Sequence, residues 1–381
     1  MILDGIMRLT KKEGRTLSVV FVDFAKAFDT VSHEHILSAL RQKGLDQHMV
    51  ELIASSYERC STKVACSEGE TKSIAMKVGV KQGDPMSPLL FNLALDPLIQ
   101  KLEREGRGFA IDGRPLTSMA FADDLVMVRD SWDGMALNIV ILETSCQLTG
   151  MSVQPSKCHG FFLDTQGKTL RVNNCSAWNV DGKPIHMIPV DESVKYLGVS
   201  VNPVVGLSPG NMPAKFQQWI GAIGKTPLDL ADKVSLLRDY AIPRVTFVAD
   251  HCMLSTAVLT EMDGYVKQAV KSWLHLPTCT ADGLLYSRYS SGGLGIPRLA
   301  RVIPSVQARR IHGLFHSPDE MIRWVAHRTI KHEKFKRAWL RAGGTLVELP
   351  ELGTFTEDVN QGRRPVRCSV IPSSSLTPKS V

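Results

Sequence analysis

Met119-Ala120-Phe121-Ala122-Asp123-Asp124-Leu125-Val126-Met127-Val128 sets two adjacent carboxylates between two apolar runs that read as the strands of one hairpin. Ionised acids in such surroundings are costly unless a cation compensates them. The usual compensator is a hard divalent cation, which takes oxygen ligands. A third acid, Asp23, ends another apolar strand, Leu17-Ser18-Val19-Val20-Phe21-Val22. Acids at the ends of neighbouring strands can converge on a pair of metal ions, the arrangement that serves in-line phosphoryl transfer. Asp23 and Asp123 are 100 residues apart, so only sheet pairing would bring them together. Asp is also a turn former, and Asp-Asp at a hairpin tip can be plain solvated turn chemistry. The flanking segments decide between the two.

Outward from the hairpin, sheet and helix alternate. Residues 1–15 read as a helix, and the strand 17–23 leads into a turn. Ser32 is a candidate N-cap for a helix running to Lys43, and a second helix follows Asp46. Strands are expected around Thr62–Cys66 and Ser73–Val78. Pro85 and Pro88 open a helix over Ser87–Glu105, since proline is tolerated in a first turn. A helix over Asp133–Thr149 ends at Gly150, a candidate C-cap. This alternation predicts an α+β domain. From Met212 the pattern turns helical, over 213–223, 232–240 and 255–274, and the Gly- and Pro-rich stretch 203–213 reads as a linker.

Five segments in order carry a resemblance. Phe21-Val22-Asp23-Phe24-Ala25-Lys26-Ala27-Phe28-Asp29 resembles the first palm motif of reverse transcriptases. Val80-Lys81-Gln82-Gly83-Asp84-Pro85-Met86-Ser87-Pro88 resembles their Gly-rich template and nucleotide motif. Phe121-Ala122-Asp123-Asp124 is similar to the paired-Asp motif, Gly150-Met151-Ser152-Val153-Gln154-Pro155-Ser156-Lys157 to the next one, and Tyr196-Leu197-Gly198 to the primer-grip strand. The details resemble non-LTR retrotransposons, above all the type-1 class that inserts into ribosomal RNA genes, and Gly292-Gly293-Leu294-Gly295-Ile296 agrees with that subclass. The likeness runs over residues 1–345 and is sharpest up to Gly198.

The resemblance implies a right-hand polymerase. Residues 1–202 would be the palm with partial fingers, 203–213 a linker, 214–279 a helical thumb, 280–345 a basic post-thumb region and 346–381 a flexible tail. It implies RNA-directed DNA synthesis by two-metal nucleotidyl transfer, with Mg²⁺ (or Mn²⁺) as cofactor. Asp23, Asp123 and Asp124 would be catalytic metal ligands, Asp124 the weaker candidate because adjacent strand residues point to opposite faces. The carbonyl of Phe24 would add a ligand. Phe28 would pack where a ribonucleotide 2′-hydroxyl would sit, although an isolated Phe at a helix start is ordinarily a core residue. Gln82 and Gly83 would touch the incoming nucleotide and template, Gly by close backbone approach and Gln as both donor and acceptor. Lys157 would serve near the leaving pyrophosphate as a cation or acid. The implied partners are an RNA template, a DNA primer or target, and dNTPs, and the implied location is nuclear.

Bulk properties agree with an intracellular protein that meets nucleic acid. No apolar run reaches membrane-spanning length, and the N-terminus lacks the basic-then-apolar pattern of a secretion signal. The eight cysteines form no Cys-x-x-Cys pair, which argues for reduced thiols and against a zinc finger. Residues 298–345 hold eleven Arg or Lys against three Asp or Glu, a net +8 in a chain whose total is +7. Such a localised patch suits phosphate-backbone contact, with Arg328, Lys331, Lys334 and Arg337 as candidates; a solvated helix face is the plainer reading. Trp324, Phe335 and Trp339 read as core anchors in the same segment.

The chain departs from the family at its ends. Met1 lies 22 residues before Asp23, so the upstream finger strands and DNA-binding fingers are expected to be missing. No Cys-Cys-His-Cys knuckle or endonuclease acid cluster is legible downstream, which reads as truncation at both ends. Three functions follow: the polymerase region of a longer protein, a catalytically inactive nucleic-acid-binding remnant, or a group II intron maturase, the last disfavoured by the Gly-Gly-Leu-Gly segment.

Overall fold

The six residues Leu17–Val22 are β-branched or apolar apart from Ser18, and all six are buried. A strand buried on both sides must sit inside a sheet. In the computed structural model, which describes residues 2–67, 69–111, 113–166, 169–173, 176–342 and 344, it is the middle strand. The order across the sheet is Thr169–Val172, His159–Gln166, Leu17–Val22, Asp124–Arg129, Ser118–Phe121. Both neighbours of the middle strand run antiparallel to it, with Val22 opposite Leu125 and Phe21 opposite His159. The expected tail at 346–381 lies outside the described residues.

The chain divides into two units, residues 13–192 and residues 2–12 with 193 onward. The first unit contains the sheet. Alternate residues along its strands, Val20, Val22, Leu125 and Met127, share a core with Leu90, Phe91 and Leu98 of the helix Ser87–Glu105 and with Met135, Ile139 and Leu142 of the helix Trp132–Thr149. That is the period-two face of a sheet meeting one stripe of each helix. Further helices span His33–Gln42 and Gln47–Glu58. Ser32 is the N-cap of the former, but its hydroxyl makes no capping bond, whereas the Asp46 carboxylate accepts from the His48 N–H. Gly150 closes the 132–149 helix in the left-handed conformation at φ 77. The strands expected around 62–66 and 73–78 shrink to exposed two-residue pairings, Ser61–Thr62 with Ile74–Ala75 and Ala65–Cys66 with Gly69–Glu70.

The second unit is helical. Helices Met212–Lys225, Leu230–Leu236, Ile242–His251, Thr256–Trp273 and Leu299–Phe315 pack around Phe216, Leu237, Val245, Met262, Val266 and Leu299. A second small core, built on Ile311, Phe315, Ile330 and Phe335, gathers the helices Glu320–Thr329 and His332–Arg341. The helix Ile2–Glu13 belongs here through Lys12. Its Ile6 and Met7 are fully buried, and a Cβ on Gly5 would stand 2.4 Å from a methyl of Val325, so glycine is what lets the two helices approach. The stretch 203–213, expected as a linker, instead contains the strand Gly206–Ser208 and the first residues of a helix. The Asn202 side chain accepts from the N–H groups of Val204 and Val205, at 2.8 Å each, and turns the chain back into a three-stranded sheet. Of the stretch's Gly and Pro residues, Gly206 opens the returning strand and Pro213 sits in the first turn of the helix. Among the described residues no helix is long and apolar enough to cross a membrane.

Candidate active site

The hairpin strands pair Phe121 with Asp124, which leaves Ala122 and Asp123 as a two-residue loop. Ala122 takes φ 53, a left-handed conformation that costs an L-residue energy. The buried part of the second strand starts at Leu125. The acids lie just beyond it, Asp123 and Asp124 exposed and Asp23 half-exposed. The strands are buried and the acids form their rim. Carrying the register one step past Val22 and Leu125 sets Asp23 across from Asp124. The Asp124 carboxyl is raised above the ordinary range, first by partial desolvation and then by the charges of Asp123 and Asp23. The link between the two strands thus runs through Asp124, the residue that strand alternation ranked lowest.

These donors fit a hard divalent ion, since all are carboxylate oxygens and their mutual repulsion is what a cation relieves. Among the described residues no group of three or more His, Cys, Asp and Glu side chains is drawn together as a ready metal cluster. The Phe24 side chain is buried in the core, so any ligand it offers would be its backbone carbonyl.

The loop after Asp23 is stitched to the segment 152–158. The Asp23 N–H donates to Sγ of Cys158 at 3.4 Å, and its carbonyl accepts from Gln154 N–H at 2.8 Å. Phe24 pairs with Val153, and Ala25 N–H donates to the Ser152 carbonyl at 2.8 Å. These bonds bring Lys157, at the end of a short 3₁₀ turn, to 3.9 Å from Oδ1 of Asp23, with both side chains largely solvated. Cys158 was not singled out in the sequence. Burial pushes its thiol up to about 11, so it stays neutral beside the carboxylates.

On the other flank, Val80 N–H donates to the Phe28 carbonyl at 2.7 Å and Gly79 N–H to Val31 at 2.8 Å. Phe28, Gln82 and Gly83 then line one cleft of about 360 Å³ with Val80 and Pro85. The Phe28 ring rests on Phe91 at 4.6 Å between centroids, so it borders the cleft while anchored in the core. Gln82 Nε2 donates to Oδ1 of Asp29 at 3.1 Å, a partner the sequence reading missed. Gly83 adopts φ +87 with open space where a Cβ would stand, so its backbone conformation requires glycine.

The basic candidates divide. Arg328 stands over the Trp324 ring at 5.6 Å, while Lys331, Lys334 and Arg337 line a common cavity. Trp324 and Phe335 are buried, as expected of core anchors, and Trp339 packs against that core half-buried.

Comparison with known proteins bears on this geometry. Residues 2–201 match the family described as reverse transcriptase (RNA-dependent DNA polymerase). The chain is 29% identical over 320 residues to a Pol polyprotein from the type-1 retrotransposable element R2 of Popillia japonica, covering 84% of this chain and 52% of that protein. It is 29% identical over 347 residues to the R2 counterpart of Nasonia vitripennis, covering 88% of this chain and 34% of that protein. The chain thus spans about half or less of the length of these relatives. Among solved structures, apo telomerase from Candida tropicalis aligns with 89% of this chain and 52% of its own at a TM-score of 0.40 and 13% identity.

Proposed function

The chain belongs to the reverse transcriptase family, and from that premise we propose that it is the polymerase region of an R2-like non-LTR retrotransposon protein, extending a DNA primer on an RNA template. The observation that supports this reading is the register that continues from Val22 opposite Leu125 to Asp23 across from Asp124, beside Asp123, with the Asp124 carboxyl raised by desolvation and by both neighbouring charges. The family works with divalent ions and with nucleic acid; we take Mg²⁺ as the ion. Asp23, Asp123 and Asp124, with the Phe24 carbonyl, would hold it. When bound, such ions lower the pKa of a primer 3′-hydroxyl and neutralise triphosphate charge.

The chain's own residues orient the reactants. Phe28 presents a ring edge to the sugar of the incoming dNTP, while Gln82 and Gly83 meet the nucleotide and template. Lys157, long and solvated, reaches the leaving pyrophosphate as a cation. Of residues 1–202, the sheet-bearing 13–192 act as palm and partial fingers, while 2–12 and 193–202 join the helical unit, in which 214–279 act as thumb and 280–345 as a basic extension that meets phosphates. We place the activity in the nucleus, where a chromosomal target lies, with finger and endonuclease functions supplied by the rest of a longer protein.

Primer extension on an RNA template tests this, using this chain and an N-terminally extended one with Mg²⁺. Extension by dNTPs that stops on chelation and in Asp23→Asn is the expected result. Tight RNA binding with no extension by either protein would instead select the inactive-remnant reading.

A further inference from the structure

Asp23 stands one residue past the end of the strand Leu17–Val22. The ladder that joins this strand to His159–Gln166 has Phe21 opposite His159 as its last pair. Just before His159 the chain is turned on itself. Pro155–Lys157 form a 3₁₀ turn, with the Lys157 N–H donating to the Gln154 carbonyl at 3.0 Å and the Cys158 N–H to the Pro155 carbonyl at 3.1 Å. The Asp23 N–H lies beyond the ladder, and the acceptor it meets is a side chain, Cys158 Sγ at 3.4 Å. A main-chain donor withdrawn from water needs an acceptor, and here a thiol takes the place that a strand carbonyl fills elsewhere in the sheet.

That sulfur is held by packing. Cys158 is fully buried in the core with Val22, Leu125 and Phe162. Its own carbonyl accepts from the His186 N–H at 3.3 Å, where His186–Met187 pair with His159 and Gly160. On the other side of Asp23, its carbonyl accepts from the Gln154 N–H at 2.8 Å. Asp23 is therefore gripped at both of its peptide groups, while its carboxylate is left half-exposed. Peptide planes are rigid, so fixing the N–H and the C=O of one residue fixes its φ and ψ, and with them the direction of its Cα–Cβ bond. Of the two grips only the thiol is a side chain, so it is the one that a substitution can release.

Mg²⁺ demands near-ideal octahedral placing of its oxygen ligands, and groups that orient a ligand tune the affinity of the site. We infer that Cys158 is a positioning residue for Asp23: its sulfur sets the direction of the carboxylate and thereby the affinity of the site for Mg²⁺. This rests on the metal reading above, in which Asp23 is a ligand. Cys146, on the helix Trp132–Thr149, is a second buried thiol of the same core and makes no hydrogen bond to Asp23; it serves as the packing control.

The test follows the Tm of the full chain against Mg²⁺ concentration, for the wild type, Cys158→Val, Cys158→Ser and Cys146→Ala. Valine fills the space of the thiol without an acceptor, and serine keeps an acceptor in a smaller side chain. Cys158→Val is expected to raise the Mg²⁺ midpoint about tenfold. Cys158→Ser should restore most of that loss, and Cys146→Ala should lower the Tm with the midpoint unmoved. In an extended protein that extends primers, Cys158→Val should lower kcat at limiting Mg²⁺ with the KM for dNTP unchanged, and excess Mg²⁺ should recover the rate. A wild-type midpoint in Cys158→Val, or an equal shift in Cys146→Ala, makes Cys158 a packing residue and overturns the inference. A serine variant weaker than the valine variant does the same, since volume and not the acceptor would then decide. Cys158→Ala replaces the valine variant if that does not fold. Asp23→Asn separates the two readings. A Tm response to Mg²⁺ that survives Asp23→Asn ends the metal assignment and this inference with it. A response that Asp23→Asn removes and Cys158→Val leaves intact ends the role of Cys158 alone.

Discussion

Asp124 concentrates the site's electrostatics in one side chain. Its carboxyl is raised by partial desolvation and by two like charges, so ionising it costs the fold something that the unfolded chain does not bear. That penalty is absent below the ordinary carboxylate pKa and complete above the raised one. Asp124→Asn should therefore raise the Tm at pH 7, by the equivalent of about 1 kcal/mol or less at this solvated rim, and the gain should shrink towards pH 4. Mg²⁺ should raise the Tm of the wild type more than that of the variant. A gain that persists undiminished at low pH would show that charge is not its origin. Phe28 poses a different question, because core packing on Phe91 and a sugar-facing role coexist in one ring. Phe28→Val should raise ribonucleotide incorporation relative to deoxyribonucleotide in an active polymerase, and an unchanged ratio would return it to packing alone. Both residues were legible in the sequence as motif positions. The Gln82–Asp29 bond and the contact of the Asp23 N–H with Cys158 were not, since each joins groups far apart in sequence that only the tertiary fold brings together.

Elements were readable where local chemistry and tertiary demand agree. The helix Ser87–Glu105 occupies its expected span because proline in the first turn and an apolar stripe both favour it. The helix ending at Thr149 stops where Gly150 can adopt the left-handed cap. Gly150→Ala should accordingly destabilise the first unit by about 1–2 kcal/mol, measurable by urea denaturation, although an added Cβ would meet nothing closer than 3.8 Å. A negligible change would mean that the backbone relaxes out of that conformation. The 203–213 segment was misread because Gly and Pro signal a turn without saying what the turn joins. Only the Asn202 bonds to two N–H groups reveal a hairpin. The 61–75 region was read with strands too long, because its residues are exposed and no buried face sets their extent.

Across the whole chain, chemistry and affinity are assigned to different units. The three carboxylates lie within residues 13–192, and the cavity lined by Lys331, Lys334 and Arg337 lies in the unit formed by 2–12 and 193 onward. The charge segregation was visible in the sequence as a net +8 over 298–345. The place of Arg8 on the wall of that cavity was not, because nothing local ties residue 8 to residues beyond 300. Carboxylates that hold a cation are needed for nucleotidyl transfer, whereas strand affinity at moderate salt comes from phosphate contacts to Lys and Arg. Asp123→Ala, in a version of the protein competent for synthesis, should then abolish primer extension by several orders of magnitude. It should leave RNA affinity and its salt slope nearly unchanged, since one rim carboxylate lost from the palm removes no phosphate contact. Replacing Arg328, Lys331, Lys334 and Arg337 together with Gln should show the converse pattern in binding. If Asp123→Ala still extended a primer at a near-normal rate with Mg²⁺, the metal-ligand assignment would be wrong. If it lost RNA binding in proportion to its activity, the two functions would share groups and the division between units would not hold.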